Sequence, residues 1–171
     1  VGQIEHLLFD GPAAVPTLVA SREVLGEMDA NIVRHWQQIA AKRTRAGQTI
    51  YPTYFQYLSL LFTELYLRSY VTDRAGLLQS LNAELERFNS HRNDSEHVAR
   101  FVADELNQLA FWSATGSGKT LLMHANLLQF RYYASRFPKL APEDGQVILI
   151  TPNERLSDQH IAEFAQSGIP A

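Results

Sequence analysis

The string SATGSGKT, from Ser113 to Thr120, constrains the fold of this 171-residue chain more than any other feature. It follows a short apolar run, LAFWSA, and precedes a segment whose apolar residues recur at helical spacing from Gly118 to about Tyr133. Buried strands carry such uninterrupted apolar runs, and glycines permit the tight turn that must come next. The pattern therefore predicts a strand, a glycine-rich loop and a helix, in that order.

This loop suits a compact polyanion. Backbone N–H groups at a helix N-terminus, together with the positive end of the helix dipole, attract phosphate groups. Lys119 is expected to reach the β- and γ-phosphates of a nucleotide, and the Thr120 hydroxyl is expected to bind Mg²⁺. Ser113 stands where such loops usually begin with Gly or Ala. The predicted cofactor-binding residues of the loop are Thr115, Gly116, Ser117, Gly118, Lys119 and Thr120, with Lys119 also assigned as catalytic.

The elements around the loop predict an α/β fold. The run QVILIT resembles a second buried strand, and ERLSDQHIAEFA after it has helical spacing. Upstream, helices are predicted over about 21–45, 53–70 and 77–90 and from about residue 97, with Ser21 as a cap. We therefore expect a mainly helical region at 1–108, followed at 109–171 by the first strands and helices of an incomplete P-loop domain.

Composition excludes several classes of protein and of binding site. The chain has no cysteine, which excludes a disulfide framework and a thiolate metal site. Its formal charge of -3 gives no strongly basic balance, but a local nucleic-acid-binding face stays possible because net charge averages over the whole surface. No long apolar run predicts a membrane span, and we expect a cytoplasmic protein without membrane contact. The chain starts with valine, and we expect it to be the N-terminal part of a longer protein.

Two polar features leave alternatives open. The basic cluster of Lys42, Arg43 and Arg45 suits either the solvated end of a helix or a phosphate-contacting patch. His124 lies one turn beyond Thr120, where core packing or a polar contact is expected rather than catalysis.

The strings ATGSGKT and TPNERLSDQ together resemble superfamily 2 helicases and translocases of the DEAD/DEAH type, in particular the restriction subunits of type III restriction enzymes. The resemblance implies a RecA-like domain that uses ATP and Mg²⁺. It also implies that the loop after the second predicted strand touches the backbone of a bound nucleic acid, with DNA favoured over RNA. The implied contact residues are Thr151, Pro152, Asn153 and Arg155. The alternative for Asn153 is an ordinary helix N-cap.

The same resemblance draws attention to the segment 54–57 (YFQY). In the family, an aromatic side chain at such a segment stacks on adenine, and a glutamine amide pairs with the edge of the base. Gln56 is thus implied as an adenine contact, although it lies unusually far upstream of Lys119. A packing role within a helix is the alternative.

These features lead to a hypothesis for the parent protein. It is an ATP-dependent helicase or translocase whose remaining helicase domains lie downstream, and the resemblance also allows a restriction or phage-defence role with a nuclease or methyltransferase partner. We expect the 171 residues alone to bind ATP weakly at most and not to hydrolyse it. The alternatives are another P-loop NTPase, such as a small-molecule kinase, and a non-catalytic interaction module with a vestigial nucleotide site.

Overall fold

The computed structural model describes residues 21–43, 49–137 and 147–170. The chain divides into two compact units. The described part of the first unit comprises residues 21–26 and 65–112, and that of the second comprises 27–43, 49–64, 113–137 and 147–170. The predicted phosphate loop and the predicted nucleic-acid loop both belong to the second unit.

Helices make up the regular structure of the described residues, and five of them are α-helices. They are α1 (Arg22–Ala40), α2 (Tyr54–Thr72), α3 (Arg74–Asn89), α4 (Lys119–Arg136) and α5 (Glu154–Gln166). Short 3₁₀ turns follow α3 at Asp94–Glu96 and Ala103–Asn107. The helices predicted near 21–45, 53–70, 77–90, 118–133 and 154–165 are confirmed. None of these helices combines the length and the apolar character that a membrane span needs.

Polar side chains fix the start of three helices. The Ser21 hydroxyl accepts the N–H of Val24 at 3.4 Å, as its sequence position predicted. Asp73 accepts the N–H of Gly76 at 2.9 Å, and Asn153 accepts the N–H of Leu156 at 3.0 Å. Each oxygen satisfies an N–H group that has no acceptor within its own helix, and so sets the first residue of that helix.

The prediction of an α/β fold with the first strands of a RecA-like domain is wrong for the described residues, which form helices and no strand or sheet. The runs at 109–114 and 147–151 have no regular secondary structure. A strand exists only when a neighbouring backbone accepts and donates its hydrogen bonds, and among the residues that the structure describes neither run has such a neighbour. Their side chains are correspondingly open: Trp112, Ile148 and Ile150 are 102%, 80% and 88% exposed.

The helix predicted from about residue 97 is also wrong. Residues 97–102 are not helical, and only the short turn Ala103–Asn107 forms in this stretch. The apolar residues of VARFVADELNQ have helical spacing, but side chains of α3 bind the backbone groups of Val98 and Phe101.

The core of the second unit lies among its helices. Met28, Ile32, Leu60 and Leu122 are buried there, each exposing 3% or less of its surface. Beside this core, an apolar groove of about 620 Å³ runs along α4, α5 and residues 147–149. Helix α4 is thus buried on one side and lines the groove on another, and the predicted phosphate loop lies at its N-terminus.

Candidate nucleotide-binding site

The loop at 113–118 turns directly into helix α4. Gly116 and Gly118 both have left-handed backbone conformations, with φ of 78° and 79°. Only glycine adopts this conformation readily, so the backbone conformation at these two positions explains why the motif has glycine there. Gly118 is the N-cap of α4 and supplies no side-chain hydrogen bond, and the first intrahelical bond runs from Leu122 N–H to its carbonyl at 3.1 Å. The N-terminal amides of α4 are therefore uncapped, as an anion site requires.

Lys119 folds back across this loop. Its Nζ donates to the carbonyl oxygens of Ser113 at 3.2 Å and Ala114 at 2.8 Å, while the residue stays exposed. An ammonium group held by uncharged carbonyl oxygens can exchange them for a phosphate oxygen, which carries a negative charge. Thr120, one residue further into the helix, is half-buried, and Thr115 is exposed on the loop.

Gln56 lies against the same loop. Its Nε2 donates to the carbonyl of Ser117 at 2.8 Å, and its Oε1 accepts the N–H of Thr53 at 2.8 Å. The second bond is one half of a capping box, because Gln56 is the third residue of α2. The structure therefore brings this residue to the phosphate loop across 61 positions of sequence. In this conformation its amide is bonded to backbone at both ends, and the rings of Tyr54 and Phe55 beside it are exposed.

The 151–155 loop is built around the start of helix α5. Asn153 is the N-cap, and its backbone carbonyl also accepts the Thr151 hydroxyl at 3.0 Å. The Thr151 hydroxyl lies 2.6 Å from that of Ser157 as well. The alternative role foreseen for Asn153, a helix cap, is thus realised. Pro152 and Arg155 remain exposed at the surface of this end.

A buried carboxylate organises the middle of the second unit. Glu64 is 0% exposed and accepts hydrogen bonds from Asn31 Nδ2 at 2.6 Å, Gln129 Nε2 at 2.7 Å and the Tyr133 hydroxyl at 2.7 Å. Burial raises its pKa above the ordinary 4.5, although the three donors and Arg34 act in the opposite direction. No sequence pattern described above predicts this network. The available signal was that Glu64 is the lone carboxylate in the apolar stretch from Thr53 to Tyr70.

A second buried polar cluster joins α4 to α5. Nδ1 of His124 lies 2.7 Å from Oγ of Ser167, and its ring stacks on Phe164 with centroids 4.4 Å apart. Burial, with a contribution from Arg43, lowers the pKa of His124 to about 4, so the ring is neutral at pH 7. The polar contact expected for His124 is confirmed.

Arg43 completes this cluster. Its Nη2 donates to Ser167 Oγ at 3.1 Å and to the Glu163 carbonyl at 3.0 Å. The guanidinium of Arg43 thus binds the C-terminal end of α5, a contact that neither interpretation of its basic cluster included. Arg45 of the same cluster lies outside the described residues.

Comparison with protein-family models matches residues 32–170 to the family described as type III restriction enzyme, res subunit. The match places the chain among helicase-like, ATP-dependent enzymes that act on nucleic acids. More particularly, the chain belongs to the family of type III restriction enzyme res subunits, which confirms the resemblance seen in its sequence. Members of this family typically hydrolyse ATP and generally use it with Mg²⁺. Comparison with curated proteins and with solved structures gives no match.

Proposed function

We propose that this chain carries the ATP-binding segment of a helicase or translocase. The phosphates of ATP bind at residues 115–120, with Lys119 on the β- and γ-phosphates and the Thr120 hydroxyl on Mg²⁺. A bound Mg²⁺ offsets the charge of the phosphates. In the parent protein, hydrolysis drives movement on nucleic acid, and DNA is favoured over RNA.

One observation carries the proposal. The exposed ammonium of Lys119 and the uncapped N-terminus of α4 converge on a single glycine-containing loop. The residue types fit a nucleoside triphosphate, because amide hydrogens and an ammonium match phosphate oxygens and a hydroxyl matches a hard cation. The loop that holds them is part of the segment that matches an ATP-dependent family.

Gln56 has a positioning role in this proposal. It binds the Ser117 carbonyl and so sets the shape of the loop. When adenine occupies the neighbouring surface, the same amide can pair with the base, because an amide offers both a donor and an acceptor.

The loop at 151–155 is the proposed nucleic-acid contact. Arg155 and Pro152 are exposed at the N-terminus of α5, where the helix dipole attracts phosphate. Thr151 and Asn153 hold the loop through their hydrogen bonds to the first turn. Arg155→Ala is accordingly expected to weaken binding of single-stranded DNA and to flatten its salt dependence.

Binding of a fluorescent ATP analogue in the presence of Mg²⁺ tests the nucleotide site. Lys119→Ala is expected to raise the Kd by about tenfold or more, because a charge-assisted hydrogen bond contributes about 1.5–3 kcal/mol. Arg22→Ala is the control, since it also removes an exposed positive charge and Arg22 belongs to neither candidate loop.

Equal affinity in the wild type and Lys119→Ala would refute the nucleotide site, whatever the absolute Kd. Measurable binding that Lys119→Ala removes, without DNA binding, would instead favour a different P-loop enzyme. If the chain binds neither the ATP analogue nor DNA, the better hypothesis is a non-catalytic interaction module.

A further inference from the structure

The two candidate loops lie at the ends of helices that a buried polar cluster ties together. Helix α4 begins at the phosphate loop, and helix α5 begins at the 151–155 loop. His124 is in the second turn of α4, four residues beyond Thr120, and Ser167 is the C-cap residue of α5. Their side chains meet at 2.7 Å, and both residues are 0% exposed.

The hydrogen bonds of this cluster have a direction. A guanidinium can only donate, so the Ser167 hydroxyl accepts from Arg43 at 3.1 Å and can give its own hydrogen to His124 Nδ1. Arg43 also binds the Glu163 carbonyl at 3.0 Å, which fastens the last turn of α5. Since the cluster is buried, a shift of either helix leaves a polar atom without its partner, which is costly away from water.

If apolar side chains joined α4 and α5 instead of this cluster, they would constrain the relative position of the two helices less, because apolar contacts are not directional. His124 already has one unsatisfied atom, because its buried Nε2 has no hydrogen-bond partner. The ring is therefore held by a single polar contact and by its stacking on Phe164. A junction with one directional bond is sensitive to small movements of α4.

We infer that His124, through Ser167 and Arg43, couples nucleotide binding at the phosphate loop to nucleic-acid binding at the 151–155 loop. The inference rests on the proposed function of those two loops. Phosphate binding engages the first turn of α4, which moves the ring of His124 relative to Ser167. Helix α5 then transmits the displacement along its length of about 20 Å to Asn153 and Arg155. His124 is a positioning residue in this scheme, since it touches neither ligand.

Coupling of this kind is reciprocal and measurable. The Kd of a non-hydrolysable fluorescent ATP analogue with Mg²⁺ is measured on the full 171-residue chain, without and with a saturating single-stranded oligonucleotide. The ratio of the two values is the coupling factor, and about fivefold or more is expected for the wild type.

His124→Phe keeps the stacked ring but removes the hydrogen bond. It is expected to bring the coupling factor to within about twofold of unity while each ligand alone binds nearly as in the wild type. His124→Asn places a polar atom near the position of Nδ1 and is expected to restore part of the coupling. His35→Phe is the matched control, because His35 is another buried histidine of the second unit and its Nδ1 has no partner.

Four results would overturn the inference. If the wild type binds both ligands with a coupling factor of unity, the coupling fails while the proposed function stands. If His124→Phe and His35→Phe lose coupling equally, or if His124→Phe lowers both affinities together with the melting temperature, His124 is merely structural. If the wild type binds neither ligand, the proposed function and the inference fail together.

Discussion

Gly118 has a φ of 79° and passes the chain directly into helix α4. A Cβ at this position would lie 2.5 Å from Nε2 of Gln56, the atom that donates to the Ser117 carbonyl. Gly116 has nearly the same φ, 78°, but a Cβ there would meet nothing within 4 Å. Alanine at the two positions therefore causes the same backbone strain, and only alanine at 118 displaces Gln56.

Gly118→Ala is expected to lower the free energy of unfolding more than Gly116→Ala does. Each substitution costs about 1–2 kcal/mol, because it places a residue with a side chain in the left-handed conformation. At position 118, the loss of the hydrogen bond from Gln56 to the Ser117 carbonyl adds about 0.5–1.5 kcal/mol. Urea unfolding measures the difference. If the same difference persists in a Gln56→Ala background, the contact with Gln56 is not its cause.

Residues of this site were predictable to different degrees. Lys119 and the two glycines lie within four positions of one another, so the local sequence pattern was sufficient to predict their place in one loop. Gln56 was inferred only from the family resemblance, because 61 positions separate it from Ser117. The network of Glu64 was missed, since its partners lie 33 to 69 residues away and nothing in the local pattern of apolar residues specifies such pairing.

Helix α3 holds a non-helical segment through two asparagine side chains. Asn82 bonds both the N–H and the carbonyl of Phe101, at 2.8 and 3.0 Å. Asn89 does the same to Val98, at 3.0 and 2.9 Å. Seven residues of helix span about 10.5 Å, and three residues of extended chain span about 9–10 Å. The two spacings match, so both asparagines can bind the segment at once.

These asparagine contacts are expected to protect the segment from proteolysis. The Arg100 side chain is 71% exposed, yet the backbone around it is held. Asn82→Ala with Asn89→Ala should speed tryptic cleavage after Arg100 by about tenfold or more, because it removes four hydrogen bonds worth at least about 0.5 kcal/mol each. Asn93→Ala is the control, since the Asn93 side chain makes no capping hydrogen bond. An unchanged rate in the double variant would contradict this role.

The same contacts explain why the helix predicted from about residue 97 does not form. Amphipathic spacing located α1 to α5 because a helix satisfies its own backbone, and its pattern is therefore local. Residues 97–102 have helical spacing too, but Asn82 and Asn89 bind the backbone groups of Phe101 and Val98. The predicted strands failed for a related reason: a strand depends on a neighbour, and an apolar run does not reveal whether that neighbour is present.

In the second unit as a whole, the buried titratable groups have opposite effects on how stability depends on pH. Burial raises the pKa of Glu64, so its contribution to stability is full below pH 4.5 and is lost as the pH rises through the folded-state pKa. Burial lowers the pKa of His35 and of His124 from 6.5 to about 4. Their contributions are full above pH 6.5 and are lost as the pH falls towards 4. The two histidines therefore favour folding increasingly as the pH rises from about 4 to 6.5, and Glu64 favours folding less as the pH rises above 4.5.

Glu64→Gln is expected to remove the loss of stability that Glu64 causes as the pH rises above 4.5. The amide keeps an oxygen for Asn31 and Gln129 and can donate to the Tyr133 hydroxyl, while it cannot ionise. Urea unfolding between pH 4 and 8, followed by circular dichroism, should show the variant gaining on the wild type as the pH rises. Glu154→Gln controls for the substitution itself, because Glu154 is exposed. Parallel curves for Glu64→Gln and the wild type would mean that Glu64 ionises in the folded protein at no cost, which its full burial argues against.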